Sequence, residues 1–349
     1  MNGRDGQNDG ESKQCAHEDA RSTLAAIVGS LEEVPQFADA LDLQIRTLEE
    51  FYRLARTIGG NDCRLGPLSG DLLGLERNFF SMLFLAVTRA LVTDSTYLPL
   101  YAMVNQGMRA WVTACDNLLD DEYKEIFPFE LEGQGSRMRS VLTLLLADRV
   151  ISEYTAREYG DCDLIASVGR ISLAALMPSA IQECGEESRP VPVLSPDQLL
   201  KTVHQHKTAD LFTAPLALPS DLESVESSRL QAAKRAVSSF GLACQILDDL
   251  RDMPADLVEG RHNYLVSTIV AEQGDGWLAG LRAEPVAGWE SWERFPEKVA
   301  DARQVANGLF TQAFKDFTAI GLDLNKQVEN GIMELMYLLL QVPPERAGC

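Results

Sequence analysis

Two short acidic stretches carry the residues most able to do chemistry. The first is DNLLDDE, Asp116 to Glu122; the second is DDLRD, Asp248 to Asp252. Each holds two aspartates four residues apart: Asp116 with Asp120, and Asp248 with Asp252. On a helix this spacing puts both carboxylates on one face, one turn apart. Like charges so placed repel, and a cation between them removes the cost. Mg²⁺ suits the position, because it takes oxygen ligands and is usually held by one or two carboxylates plus substrate phosphates. The plainer alternative is a solvated helix end, the usual place for a charge run. Against it, each cluster follows an apolar or small-residue run, AWVTAC or FGLACQIL, which a solvated end does not need. A diphosphate would also require cations from the chain. Lys207, in HQHKTADLF, and Arg261, about ten residues after the second cluster, are candidates, although spacing alone favours a surface lysine and says little of Arg261.

Such clusters must be positioned by helices. Long stretches carry apolar residues at three- to four-residue spacing, broken by Pro, Gly and Asp punctuation. The pattern predicts helices over 20–30, 34–57, 69–93, 97–121, 135–156, 161–185, 196–217, 222–251, 262–273, 296–320 and 325–341. Strand signals are scarce and no repeat of 20–50 residues is visible. The expected fold is all-α: a single large helical bundle around a central cavity, with site residues on facing helices. The polar segment 1–20 reads as a flexible tail, and 21–349 as one domain.

Composition bounds the function. The chain has 349 residues, 46% of them hydrophobic, and a net charge of −21 from 31 Lys plus Arg against 52 Asp plus Glu. Binding to nucleic acid or an anionic membrane surface needs basic surface and is not expected. Seven cysteines without a CxxC pair, and four histidines, argue against a zinc site or disulfide framework and for a reducing cytoplasm. The start of the sequence holds no apolar signal-peptide stretch. No uninterrupted 18-residue apolar run is seen, so no membrane span is expected.

Taken together, these elements resemble the trans-polyprenyl diphosphate synthase family of class I isoprenoid synthases. The resemblance rests on both Asp-rich motifs and on Lys207-Thr208-Ala209-Asp210-Leu211-Phe212 between them. Phe240-Gly241 and Gln245 before the second motif also match, with Gln182 a further candidate. It covers roughly 70–270. The resemblance implies an isoprenoid synthase-type fold, a homodimer and three Mg²⁺ ions. It assigns metals to Asp116, Asp120, Asp121, Asp248 and Asp252, and diphosphate oxygens to Lys207 and Arg261. It implies an allylic prenyl diphosphate as substrate, its tail in an apolar pocket that includes Val112, Thr208, Phe212, Phe240 and Gln245. Trp111, five residues before Asp116, would be a floor limiting chain length or, equally, plain core.

The chain also departs from that pattern. The second aspartate of the first motif is Asn117. The Gly-Lys-Arg-x-Arg element that holds the family's second substrate, isopentenyl diphosphate, falls on Glu76-Arg77-Asn78-Phe79-Phe80. The usual histidine is Arg109, and the usual Arg-Arg pair falls on Glu125-Ile126. Arg77, Arg109, Lys124, Arg137 and Arg139 remain to bind a second diphosphate. The leading expectation is therefore a terpene synthase that ionises one prenyl diphosphate and cyclises it, with elongation by isopentenyl diphosphate as the alternative. Two further readings stay open. One is a head-to-head synthase of the squalene or phytoene type, suggested by GLACQILDDLRDMPADLVEGRHNYL. The other is a non-catalytic partner subunit, disfavoured because all four aspartates remain.

Overall fold

The computed structural model describes residues 26–27, 29–31, 33–61, 63–92, 95–120, 123–133, 135–187, 192–282 and 289–343. The expected tail 1–20 and the proposed metal ligand Asp121 lie outside them. Helices dominate: α1 (Pro35–Gly59), α2 (Leu75–Leu91), α3 (Leu98–Leu119), α4 (Ser136–Tyr159) and α5 (Cys162–Glu187) come first. Then follow α6 (Ser227–Glu259), α7 (Tyr264–Gln273), α8 (Pro296–Ala319) and α9 (Lys326–Leu339). Among the described residues there is no strand, only an isolated bridge between Leu65 and Phe129. The all-α expectation holds.

The apolar spacing sets the helix packing. α6 carries Ala233, Val237, Phe240, Cys244, Leu247 and further apolar residues on buried faces and makes its largest contact with α8. There Phe240 meets Phe310, Phe314 and Phe317 at ring-centroid distances of 5.0, 6.4 and 6.3 Å. On the other side α1, α2, α3 and α4 pack together. Gly107 lets α3 approach α4 closely: a Cβ there would lie 2.1 Å from Ile151 Cδ1. Arg109 bonds to Asn78 and Asn105 to Ser81, so α3 runs antiparallel to α2.

Two elements differ from expectation. The predicted helix 196–217 is broken into an α-turn (Pro196–Leu199), a π-helical segment (Leu200–Ala209), an α-turn (Asp210–Thr213) and a 3₁₀ turn (Ala214–Leu216). Pro215 and Pro219 cannot donate the hydrogen bonds of a continuous helix, and π segments gather at functional sites. The other is α6, which runs through Pro254 to Glu259, eight residues beyond its predicted end. In addition, the stretch between the helices predicted at 262–273 and 296–320, where none is predicted, contains helices Asp275–Arg282 and Ser291–Arg294.

Helix α5 is long and apolar enough, by length and composition, to cross a membrane, contrary to the expectation that no such segment exists. Its place in the bundle gives that composition another reason. It packs on α4 and on the π segment, and it delivers Leu176 to the central cavity.

Candidate active site

The bundle encloses a cavity of ≈ 370 Å³, within the range of ligand pockets. Asp116, from the last turn of α3, and Asp248, from the middle of α6, both line it. The two acidic motifs, 132 residues apart in sequence, therefore face one space. Asp120 stands just past the end of α3 and accepts a hydrogen bond from Arg261 (2.9 Å), which also pairs with Glu259. Arg261 thus ties the first motif to the end of α6. In the second motif Arg251 bridges both aspartates, at 2.7 Å from Asp248 and 2.7 Å from Asp252. The repulsion expected from the four-residue spacing is relieved here by a neighbouring guanidinium.

Burial against the cavity wall pushes the Asp116 carboxyl up to about 6; Lys124 opposes this, and Asp120 and Glu183 add to it. Asp248 is likewise pushed up to about 6, by burial first, with Arg251 opposing and Asp252 and Asp249 adding. Asp116 still reaches solvent, so water tempers the penalty. A divalent cation would remove it, and the donor set is all oxygen, as Mg²⁺ requires. Among the described residues, no three His, Cys, Asp or Glu side chains cluster closely enough to hold a metal unaided. A metal at this mouth would complete its shell with water and ligand oxygens, the common habit of Mg²⁺.

Other assigned residues divide by place. Val112, Thr208, Phe212 and Gln245 line the cavity, and so do Arg77 and Arg109. Thr208 donates to Gln245 Oε1, and Gln245 donates to Asp249 (2.7 Å), so the pocket wall is hydrogen-bonded to the second motif. Phe212 sits on Gly241, where a Cβ would come within 2.7 Å of its ring, and meets Phe80 and Phe84 edge-on. Two residues assigned to the pocket are elsewhere. Phe240 is wholly buried in the aromatic core between α6 and α8, behind Gly241, because its ring points away from the cavity face of α6. Trp111 packs against the core and is not part of the lining, a role taken by Met108 and Val112.

Lys207 is held outside the lining by Glu183 (3.1 Å) and Glu186 (3.9 Å) of α5. Burial pulls its ammonium down, but the two glutamates outweigh this and hold it above the ordinary lysine range. Gln182 donates to Glu186 and so belongs to the same group. Arg139 is committed to the carbonyls of Phe129, Leu131 and Gly133. Arg109 donates to Asn78 Oδ1 (2.8 Å) and Arg77 to the Glu125 carbonyl (3.3 Å). Neither arginine has a carboxylate partner among the described residues. Burial pushes Arg109 down to about 10; Tyr52 opposes this and Arg77 adds to it. Arg109 stays charged at neutral pH, and an anion beside it would offset the burial cost.

The partners of three residues around the site were not visible in the sequence. Asn117 exchanges two hydrogen bonds with the Lys124 backbone, donating at 3.0 Å and accepting at 2.8 Å. An aspartate there could not donate, which gives the departure from the family motif a structural reason. Asp249, 2% exposed, accepts from His204 Nε2 (2.9 Å), from Gln245 and from the Tyr264 backbone. It anchors the π segment and α7 to α6 and does not face the cavity. Asp256 is half-buried, its carboxyl raised well above the usual range by burial and by Asp249.

No family model matches the chain, and no curated protein matches it. Solved structures do. A decaprenyl diphosphate synthase from Rhodobacter capsulatus aligns with TM-score 0.58 at 15% identity, covering 89% of this chain and 99% of that one. A heptaprenyl diphosphate synthase from Staphylococcus aureus aligns with TM-score 0.59 at 14% identity, over 86% and 98%. The fold is that of the trans-polyprenyl diphosphate synthases. A polyprenyl synthase of this fold from Caulobacter crescentus, solved with calcium and isoprenyl diphosphate, aligns with TM-score 0.53 at 15% identity, over 86% and 97%. Within the polyprenyl synthase fold, one aspartate of each acidic motif shares a cavity with Arg77 and Arg109, which have no carboxylate partner among the described residues.

Proposed function

We propose that this protein is a Mg²⁺-dependent isoprenoid synthase that ionises an allylic prenyl diphosphate and joins the prenyl cation to the double bond of a second diphosphate substrate, the proton lost from the resulting cation passing to the departing pyrophosphate. One observation carries the second half: Arg77 and Arg109 line the same cavity as Asp116 and Asp248, without ion-pair partners among the described residues. Charge would thus be divided between two anion sites. Asp116, Asp120, Asp248 and Asp252 hold the metal at the mouth, and Asp121 is a further ligand candidate. A Mg²⁺ ion held by these carboxylates would supply positive charge to offset that building on the leaving diphosphate. Lys207, once released from Glu183 and Glu186, and Arg261, once released from Asp120, are the chain's own cations for that diphosphate. Phe80, Phe84, Phe212 and Met108 hold the tail and exclude water from the cation. Arg77 and Arg109 hold the second diphosphate, which takes isopentenyl diphosphate as its simplest form.

A second reading, cyclisation of a single prenyl diphosphate, draws support from Phe80. It occupies the position of a cationic residue in the resembled motif and presents a ring to the cavity. With Phe84 and Phe212 it offers π-faces to a carbocation. Mass spectrometry of products from ten-, fifteen- and twenty-carbon allylic diphosphates, with and without isopentenyl diphosphate, separates the readings. Elongated diphosphates appearing only with isopentenyl diphosphate are expected; cyclic hydrocarbons from one substrate alone would replace transfer by cyclisation. Arg109→Leu is expected to raise KM for isopentenyl diphosphate at least tenfold and to leave KM for the allylic substrate within about twofold, since one charge-assisted contact contributes about 1.5–3 kcal/mol.

The proposal includes a homodimer. Its support is an apolar surface on α4 and α5, where Met138, Leu145, Leu173, Met177 and Ile181 are all exposed.

A further inference from the structure

About three helical turns from Asp116, the apolar wall of the cavity carries two polar groups that have no hydrogen-bond partner among the described residues. Asn105 of α3 and Ser81 of α2 both line the cavity and are 5% and 3% exposed. Asn105 Nδ2 donates to the Ser81 backbone carbonyl at 3.2 Å. That contact fixes the amide's orientation, because a carbonyl oxygen needs a donor. The atom left over is Asn105 Oδ1. Neither Oδ1 nor the Ser81 hydroxyl has a hydrogen-bond partner among the described residues, and neither is among the sealed, unpaired atoms of the core. Both therefore border the open cavity.

Their surroundings make this conspicuous. Phe80, Phe84, Met108, Leu211 and Leu340 belong to the same lining. A plain hydrocarbon chain drawn across it would strip water from both oxygens and return no hydrogen bond, a costly exchange. A leucine or alanine pair would have avoided the cost. An O–H group placed here donates to Asn105 Oδ1 and bonds the Ser81 hydroxyl, two polar partners, the minimum for an ordered water.

We propose that Asn105 and Ser81 form a hydroxyl-binding subsite in the tail pocket. It takes an O–H donor about 16 Å along α3 from the metal-binding aspartates, eleven residues at the helical rise. The donor is either a water retained beside the prenyl chain or a hydroxyl carried by the chain itself, so the subsite would admit oxygenated prenyl diphosphates. This inference rests on the reading that the cavity holds a prenyl tail.

The test uses two non-ionisable bisphosphonate probes with Mg²⁺. One bears a plain fifteen-carbon prenyl chain, the other the same chain hydroxylated on its third isoprene unit. Affinities are measured for the full-length protein, for Asn105→Leu and for Ser81→Ala, with melting profiles checking the fold of each variant. If the hydroxyl belongs to the substrate, the hydroxylated probe binds the unmodified protein about tenfold tighter, and Asn105→Leu reverses the ranking. If water is the resident, both probes bind equally, and crystals show a water between Asn105 Oδ1 and Ser81 Oγ in the plain-chain complex. Chain carbons packed on Asn105 with no oxygen within hydrogen-bond distance overturn the subsite. Crystals of the ligand-free protein decide the matter even if neither probe binds. A water on both groups supports the subsite, and a dry wall overturns it. Failure of both probes to bind would count against the prenyl-tail reading alone.

Discussion

At the scale of single residues, Asp116 and Asp248 carry the most informative chemistry. Each is held with its carboxyl raised to about 6, chiefly by burial. Since the folded value lies above the ordinary 3.8, the neutral form favours the fold, and this contribution is lost as pH rises through about 6. Metal and proton compete for the same oxygens, so metal binding runs the other way. The rise in melting temperature caused by Mg²⁺ with pyrophosphate should be large at pH 7.5 and should shrink as pH falls below about 6; a shift independent of pH between 5 and 8 would remove both aspartates from the metal site. Asp116→Asn and Asp248→Asn should each lower pyrophosphate release from an allylic diphosphate by at least about a hundredfold, or about 2.7 kcal/mol of barrier. Circular dichroism should show both variants folded, because neither aspartate is part of the core.

At the scale of elements, the π segment is the least expected feature and Asp249 is what holds it. The carboxylate gathers His204 from the π segment, Gln245 from its own helix and the first backbone N–H of α7. Asp249→Ala would leave all three donors unpaired inside the protein. It should destabilise the fold by about 3 kcal/mol or more, since each buried donor left unpaired costs about 1–3 kcal/mol, read as a lowered urea midpoint. His204→Phe removes one donor and should cost less. The same elements show what was legible beforehand. The i, i+4 aspartates and the Lys-Thr-Ala-x-Leu-Phe element were readable because helical spacing is local. Asp249 looked like one more member of an acidic run, and only its partners, 45 and 15 residues away, reveal a structural anchor. The resemblance assigns Phe240 to the pocket and leaves Trp111 as pocket floor or core; neither lines the cavity, because a motif position marks a residue as inward without saying which of two buried faces it serves.

At the scale of the molecule, α5 joins three functions. Its inner face gives Leu176 to the cavity, its last turns hold Lys207 through Glu183 and Glu186, and its outer face presents Leu173, Met177 and Ile181 at four-residue spacing. An exposed stripe of this kind marks a protein or membrane contact. The homodimer reading predicts that light scattering after size exclusion gives twice the chain mass of 38.4 kDa. Leu173→Glu with Ile181→Glu should then yield a monomer. A monomeric native protein that binds neutral lipid vesicles would assign the stripe to a membrane surface.

The sequence by itself determined the helical character of the chain, its two carboxylate pairs and the motif between them. These follow from spacings of two to four residues, which a helix converts directly into shared faces. Only the tertiary structure decided which charges oppose one another. It placed Lys207 against α5, tied Arg261 to Asp120 and set Arg77 and Arg109 in the cavity without a carboxylate partner among the described residues. It also set an amide and a hydroxyl in an apolar wall. Such partnerships depend on helix rotation and crossing, and these are set by the packing of apolar side chains far from the charges they bring together.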